Sequence, residues 1–124
     1  MGPVYIRLGR LAVESVHNND DYRFELGKGI TAGRQGHHHH RHRPAGAGAV
    51  KAAKSLEEAG IDARVIDIHT IKPLDQELVL KAAKETGRIV VAEEHNIIGG
   101  LGEAVASYLS EVYPTPVTKI GVND

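Results

Sequence analysis

Residues Glu93-Glu-His95, followed by Gly99-Gly-Leu-Gly102, set two carboxylates and an imidazole beside a glycine-rich turn. A carboxylate next to an imidazole is raw material for proton transfer, and a glycine turn opening a helix can cradle an anion on backbone N–H groups. Neither chemistry is fully specified. The glycines lack the spacing of a dinucleotide fingerprint and no P-loop lysine follows them. Glu103, in the first helical turn, opposes a bound anion and complements the helix dipole instead. Without a partner, His95 warrants no general-base role. The stretch is therefore expected to be a structural joint whose Glu94, His95, Gly99, Gly100 and Gly102 contact a neighbouring domain or subunit, and no catalytic residue is assigned. Asp67, His69 and Lys72 share the same ambiguity, while Pro73 and Asp75 carry helix-start chemistry.

A second candidate is the run His37 to His40 with His42, between Arg34 and Arg43. Imidazoles ligate zinc, nickel or copper. Adjacent histidines in a glycine- and arginine-flanked stretch lack fixed geometry and supporting hydrogen bonds, so no biological metal site is expected. An affinity tag is another reading, although tags rarely sit inside a domain. A third follows from codons. Read one base later, Gly36 to Gly48 can spell D-I-T-I-I-A-T-G-L-L-V-Q-E, which is a β-branched strand, a turn and the start of a helix leading into Ala49. Residues 32–48 are read as a frame-shifted strand, with one base gained near Thr31 and one lost near Gly48.

The third candidate is Arg10, just after the strand pattern Pro3-Val-Tyr-Ile-Arg-Leu8. Alone it reads as a solvated surface side chain. Arg7 falls on the other face of that strand by its spacing.

Certain elements must position these groups. Ile89 to Ala92 is a buried strand, Glu93 to Asn96 a polar turn, and the helix beyond carries apolar residues at Leu101, Ala104, Val105, Tyr108, Leu109 and Val112. Upstream, Ala49, Ala52, Ala53 and Leu56 form a helical stripe closed by Gly60, Ala63 to Ile68 a strand, and Asp75 caps a helix running to Gly87. Pro114 ends the last helix before a strand at Val117 to Val122. Alternating strands and helices imply right-handed parallel crossovers. Residues 1–30 are expected to be the last strand of a preceding domain plus a linker, 31–48 an irregular histidine- and glycine-rich segment, and 49–124 an α/β domain.

Composition agrees. The chain has 124 residues, no cysteine, no Trp and one Phe, leaving Val, Ile, Leu and Ala to build a sheet core. A net charge of -1 gives no reason to expect nucleic acid or an acidic partner. No membrane-length apolar run or signal peptide is visible, so a cytoplasmic, soluble chain is expected, with no membrane partner.

Taken together, Gly2-Pro-Val-Tyr-Ile-Arg-Leu-Gly-Arg10, Asn18-Asn-Asp-Asp-Tyr22 with Phe24-Glu-Leu-Gly-Lys-Gly-Ile30, Ile66-Asp-Ile-His-Thr-Ile-Lys-Pro-Leu-Asp75 and Val91 to Val105 resemble the carboxyl-terminal part of transketolase in its split-subunit form. The shifted-frame peptide also looks like that family's first strand of the domain. The resemblance implies a three-layer α/β sandwich with a mostly parallel sheet whose first strand is lost in 32–48. It implies transfer of a two-carbon ketol unit between sugar phosphates, the chemistry of the pentose phosphate pathway. Thiamine diphosphate with Mg²⁺ or Ca²⁺ would serve the complete enzyme, none bound to this chain. Partners would be an N-terminal transketolase subunit and a second copy of the C-terminal subunit. The glutamate that activates thiamine in this family is expected upstream of Met1, so the chain should not catalyse alone. Arg10 matches the family arginine that grips the substrate phosphate, a role suited to a planar guanidinium. The 2-oxoacid dehydrogenase beta subunits and 1-deoxyxylulose-5-phosphate synthase share the domain, which leaves a non-catalytic interaction module of the former type as the alternative.

Overall fold

The computed structural model describes residues 23–31 and 44–123. The Pro3–Leu8 strand, Arg7, Arg10, the histidine run and residues 32–43 of the irregular segment lie outside the described residues. In chain order the elements are β1 (Ile30–Thr31), α1 (Pro44–Glu58), β2 (Ile66–Asp67), α2 (Gln76–Thr86), β3 (Ile89–Asn96), α3 (Leu101–Val112) and β4 (Val117–Val122).

Helix α1 starts earlier than its alanine stripe, at Pro44, a residue whose fixed φ suits a first helical turn. It ends as expected: Gly60 adopts φ +79°, and the Ile61 N–H reaches back to the Leu56 carbonyl at 2.8 Å. Of the stripe, Ala49 and Ala53 are half-buried, while Ala52 and Leu56 are exposed. Helix α2 is stopped at both ends by the residues that its sequence suggested. Asp75 Oδ1 accepts the Leu78 N–H at 3.1 Å, and Gly87 at φ 70° donates its N–H to Ala83.

The apolar faces of α2 and α3 meet one face of β3 and β4. Val79, Ala83, Val91, Val105 and Leu109 form the core cluster, flanked by Leu74, Ile89, Leu101, Tyr108 and Val117. Leu109 is completely buried at its centre. Strands β3 and β4 are parallel, with Ile89 opposite Val117 and Ala92 opposite Ile120.

Three features differ from the sequence reading. Glu93 to Asn96 is not a turn but the continuation of β3, because Asn96 pairs with Val122 beyond a bulge that begins after Ala92. Among the described residues the strand expected over 63–68 is laddered only at Ile66–Asp67, where its neighbour is short and offers few N–H and C=O partners. That neighbour is β1, antiparallel, so among the described residues the sheet is mixed and in two pieces, β1–β2 and β3–β4. The α/β character and the layering of helices on the sheet are as expected.

Candidate functional site: a self-capped strand–helix joint

The bulge in β3 decides what its carboxyl end can do. Four residues of β3 from Ala92 onward oppose only a short step of β4, which re-aims the side chains between them. Gly121 sits opposite, where a Cβ would come within 2.9 Å of the His95 carbonyl oxygen and 3.0 Å of that of Glu93. Val91 and Glu93, two residues apart, point to the packed side, whereas Glu94 and His95 are exposed.

Glu93 therefore reaches the amino terminus of α3. Its Oε2 accepts the Leu101 N–H at 3.0 Å and its Oε1 the Gly102 N–H at 3.1 Å. These are two of the N–H groups that a helix start leaves without partners, and the carboxylate also meets the positive end of the dipole. Gly100 itself provides no side-chain cap. The glycines make room for Glu93. A Cβ on Gly100 would approach the Glu93 Cδ to 2.7 Å, and one on Gly102 would approach the Lys119 Cγ to 2.7 Å. Only Gly99 needs its freedom for backbone reasons, at φ +72°.

A second carboxylate closes the turn. Glu103 Oε2 accepts the Gly99 N–H at 2.8 Å, and Lys119 Nζ lies 3.5 Å from Glu103 Oε1. The Gly99 hydrogen bond, helped by Lys119 and opposed by desolvation, holds the Glu103 carboxyl below its ordinary pKa. Asn96 Oδ1 accepts the Ile98 N–H at 2.7 Å. Four N–H groups of the elbow thus point at oxygens of the chain itself.

This arrangement does not fit a bound diphosphate. The helix terminus that would receive a phosphate already holds Glu93, and a second anion would meet two carboxylates there. Among the described residues no group of three His, Asp or Glu side chains is placed to hold a metal ion. Gly99, Gly100 and Gly102 are brought together with Glu93, while Glu94 and His95 stand away from the cap on the open surface.

A second junction lies at Asp75, the buried carboxylate whose Oδ2 accepts the Gly29 N–H at 2.9 Å while its Oδ1 caps α2. One side chain thus ties Gly29 to the start of α2. Gly29 has no room for a side chain, since a Cβ there would lie 2.7 Å from Leu78 Cδ2. Nearby, the Phe24 ring lies 4.7 Å from that of His69, whose Nδ1 is 2.7 Å from Thr70 Oγ1. Of the residues noted at this strand end, His69 therefore packs against Phe24, and Lys72 and Pro73 are exposed. The sequence placed Glu93 in a polar turn and gave it no site role. The signal was present, because strand alternation puts it on the same face as Val91.

Residues 47–124 match the family described as transketolase, C-terminal domain. The chain belongs to the transketolase family. It is 45% identical to a subunit of the apulose-4-phosphate transketolase of Phocaeicola vulgatus over 98% of this chain and 39% of the relative. With the 6-deoxy-6-sulfo-D-fructose transketolase subunit SqwH of a Clostridium species it shares 42% identity, over 99% of this chain and 38% of that one. A 1-deoxy-D-xylulose-5-phosphate synthase of Heliobacterium modesticaldum is 47% identical over 61% of this chain and 12% of its own. Among solved structures, one described as "split gene transketolase, inactive beta4 tetramer" superposes with a TM-score of 0.83 at 50% identity, over 99% of this chain and 41% of that chain. The chain thus spans about two-fifths of the length of the split-gene relatives. Among the described residues no helix is long and apolar enough to cross a membrane.

Proposed function

We propose that the chain is the terminal domain of a split-gene transketolase subunit, working in the cytoplasm. It would form part of an assembly that transfers a two-carbon ketol unit between sugar phosphates, with thiamine diphosphate and Mg²⁺ held outside the described residues. The observation that carries this reading is the 45% identity to a subunit of apulose-4-phosphate transketolase over 98% of this chain. The joint supports it, because a helix terminus filled by Glu93 is built to hold shape and present a surface. On this reading the joint of Glu94, His95, Gly99, Gly100 and Gly102 faces the N-terminal transketolase subunit or a second copy of this subunit through its exposed Glu94, His95 and Gly99, with Gly102 buried behind them. The latter partner is supported by the tetramer that the solved relative forms.

Arg10 is assigned to the anionic end of the substrate. The two relatives are named for apulose-4-phosphate and 6-deoxy-6-sulfo-D-fructose, whose phosphate and sulfonate both suit a guanidinium fork. The chain is expected to be inactive alone. The test is capture: the chain is offered to an N-terminal transketolase subunit and to a lipoyl-bearing acyltransferase core, and association is followed by sedimentation. Binding to the first supports the reading. Binding to the second alone would replace it with the interaction module of a 2-oxoacid dehydrogenase beta subunit.

A further inference from the structure

Residues 23–29 lie against the domain by a small number of contacts. They lead into β1, whose Ile30 and Thr31 pair with Asp67 and Ile66 of β2, so their carboxyl end is anchored. Ahead of that anchor the contacts are open. Gly27, at φ +80°, turns the chain over Pro73, and Lys28 meets Glu77 at 3.6 Å in an exposed ion pair. Exposed pairs of this kind hold little. Phe24 is 62% exposed and Leu26 67%, so the large apolar side chains here keep most of their surface in water. Few buried apolar contacts mark the parts of a fold that open at low free energy.

One contact works against docking. The Phe24 ring lies 4.7 Å from the His69 ring, tilted by 36°, and His69 Nε2 is buried with no hydrogen-bond partner among the described residues. Thr70 Oγ1 engages only the other ring nitrogen. In either tautomer Nε2 is a donor or an acceptor kept from water, and lifting Phe24 hydrates it.

The contact that opposes release is Asp75. Its Oδ2 holds the Gly29 N–H and its Oδ1 the Leu78 N–H, so one buried carboxylate is shared between residue 29 and the first turn of α2. With both oxygens engaged the side chain keeps one rotamer. Freed of Gly29 it regains rotamer freedom and leaves the cap for part of the time. Val79, the next residue along α2, belongs to the core cluster, so a loosened cap reaches the helix that packs on β3.

We propose that residues 23–29 are a strap that docks and releases about β1, with His69 as the contact that favours release and Asp75 as the group that passes the strap's state to the start of α2. None of these groups belongs to the elbow between β3 and α3.

Amide hydrogen exchange in the full 124-residue chain tests this. His69→Phe keeps an aromatic ring beside Phe24 and removes the dry nitrogen, so protection of the Gly29 and Leu78 amides should rise together, by about fivefold. Gly29→Val acts in the opposite sense. Gly29 has no left-handed φ, and a Cβ there would lie 2.5 Å from Ile68 Cδ1 and 2.7 Å from Leu78 Cδ2, so the added side chain displaces the strap by bulk alone. Protection at position 29 and at Leu78 should then fall together by about tenfold, while Leu101 and Gly102, held by Glu93, stay protected. Unchanged or lower protection of Gly29 in His69→Phe would overturn the role of His69. A change at position 29 with Leu78 unmoved, in either variant, would overturn the coupling through Asp75. If Gly29→Val also exposes Leu101 and Gly102, the fold itself has been lost and His69→Phe decides alone: a rise at both amides supports the strap, and any other result refutes it.

Discussion

Glu93 and Gly102 are joined across the elbow: the carboxylate at the end of β3 accepts the Gly102 N–H at 3.1 Å, while its other oxygen takes Leu101. A strand residue thus caps the next helix, which makes β3 and α3 one unit. Replacing Glu93 by Ala leaves both N–H groups without an oxygen and should cost about 0.5–2 kcal/mol, as lost helix caps do. Glu93→Gln keeps one acceptor and should cost less. Urea unfolding gives the ranking, and equal stability of Glu93→Ala and the parent would contradict the cap.

Asp75 performs two jobs with two oxygens, and its variants should separate them. Asp75→Asn retains one acceptor and should remain folded while loosening either the cap or the Gly29 tie. Asp75→Ala loses both, at roughly 1–3 kcal/mol. Limited proteolysis reads the Gly29 tie directly: cleavage within residues 23–31 should accelerate in Asp75→Ala at a temperature where α2 is still helical.

Acidification should reach the elbow through Glu103. Its carboxyl is held below the ordinary value, first by the Gly99 N–H and then by Lys119. A depressed folded-state pKa gives stability that is present above the unfolded carboxylate value of about 4.3 and is lost as pH falls through the folded value. The Glu103→Gln chain should therefore show a weaker fall in melting temperature over that acid range. Parallel acid profiles for the two chains would remove Glu103 from the account.

Leu109 is completely buried where α2, α3 and β3 meet. Leu109→Ala should cost about 2–5 kcal/mol, a large fraction of the ~5–15 kcal/mol by which whole domains are stable. A loss of cooperative unfolding is the expected outcome by calorimetry. Val112→Ala, at an exposed site on the same helix, should change little.

Much of this was legible before the structure because the signals were local. The apolar spacing of Leu101, Val105, Tyr108 and Leu109 marks α3, and Asp75 and Gly87 mark both ends of α2, since helix periodicity and caps involve residues a few positions apart. Gly99, Gly100 and Gly102 likewise announce a tight joint. What escaped depends on pairing across the sheet. The extension of β3 to Asn96 is set by Val122, the role of Glu93 by a helix start eight residues on, and the Gly29–Asp75 tie by residues far apart in sequence. The short β2 was not legible either, because a strand forms its ladder only when a neighbour is in place.

Ketol transfer tests the central claim most directly. The subunit carrying this chain is combined with an N-terminal transketolase subunit, thiamine diphosphate, Mg²⁺, a ketose phosphate donor and an aldose phosphate acceptor, and release of the shortened aldose from the donor is followed together with the lengthened ketose formed from the acceptor. The account predicts turnover only when both subunits are present, with Arg10→Gln raising KM for the phosphorylated sugar more than it lowers kcat. Turnover by this chain alone, or no ketol transfer from an assembled complex, would contradict it.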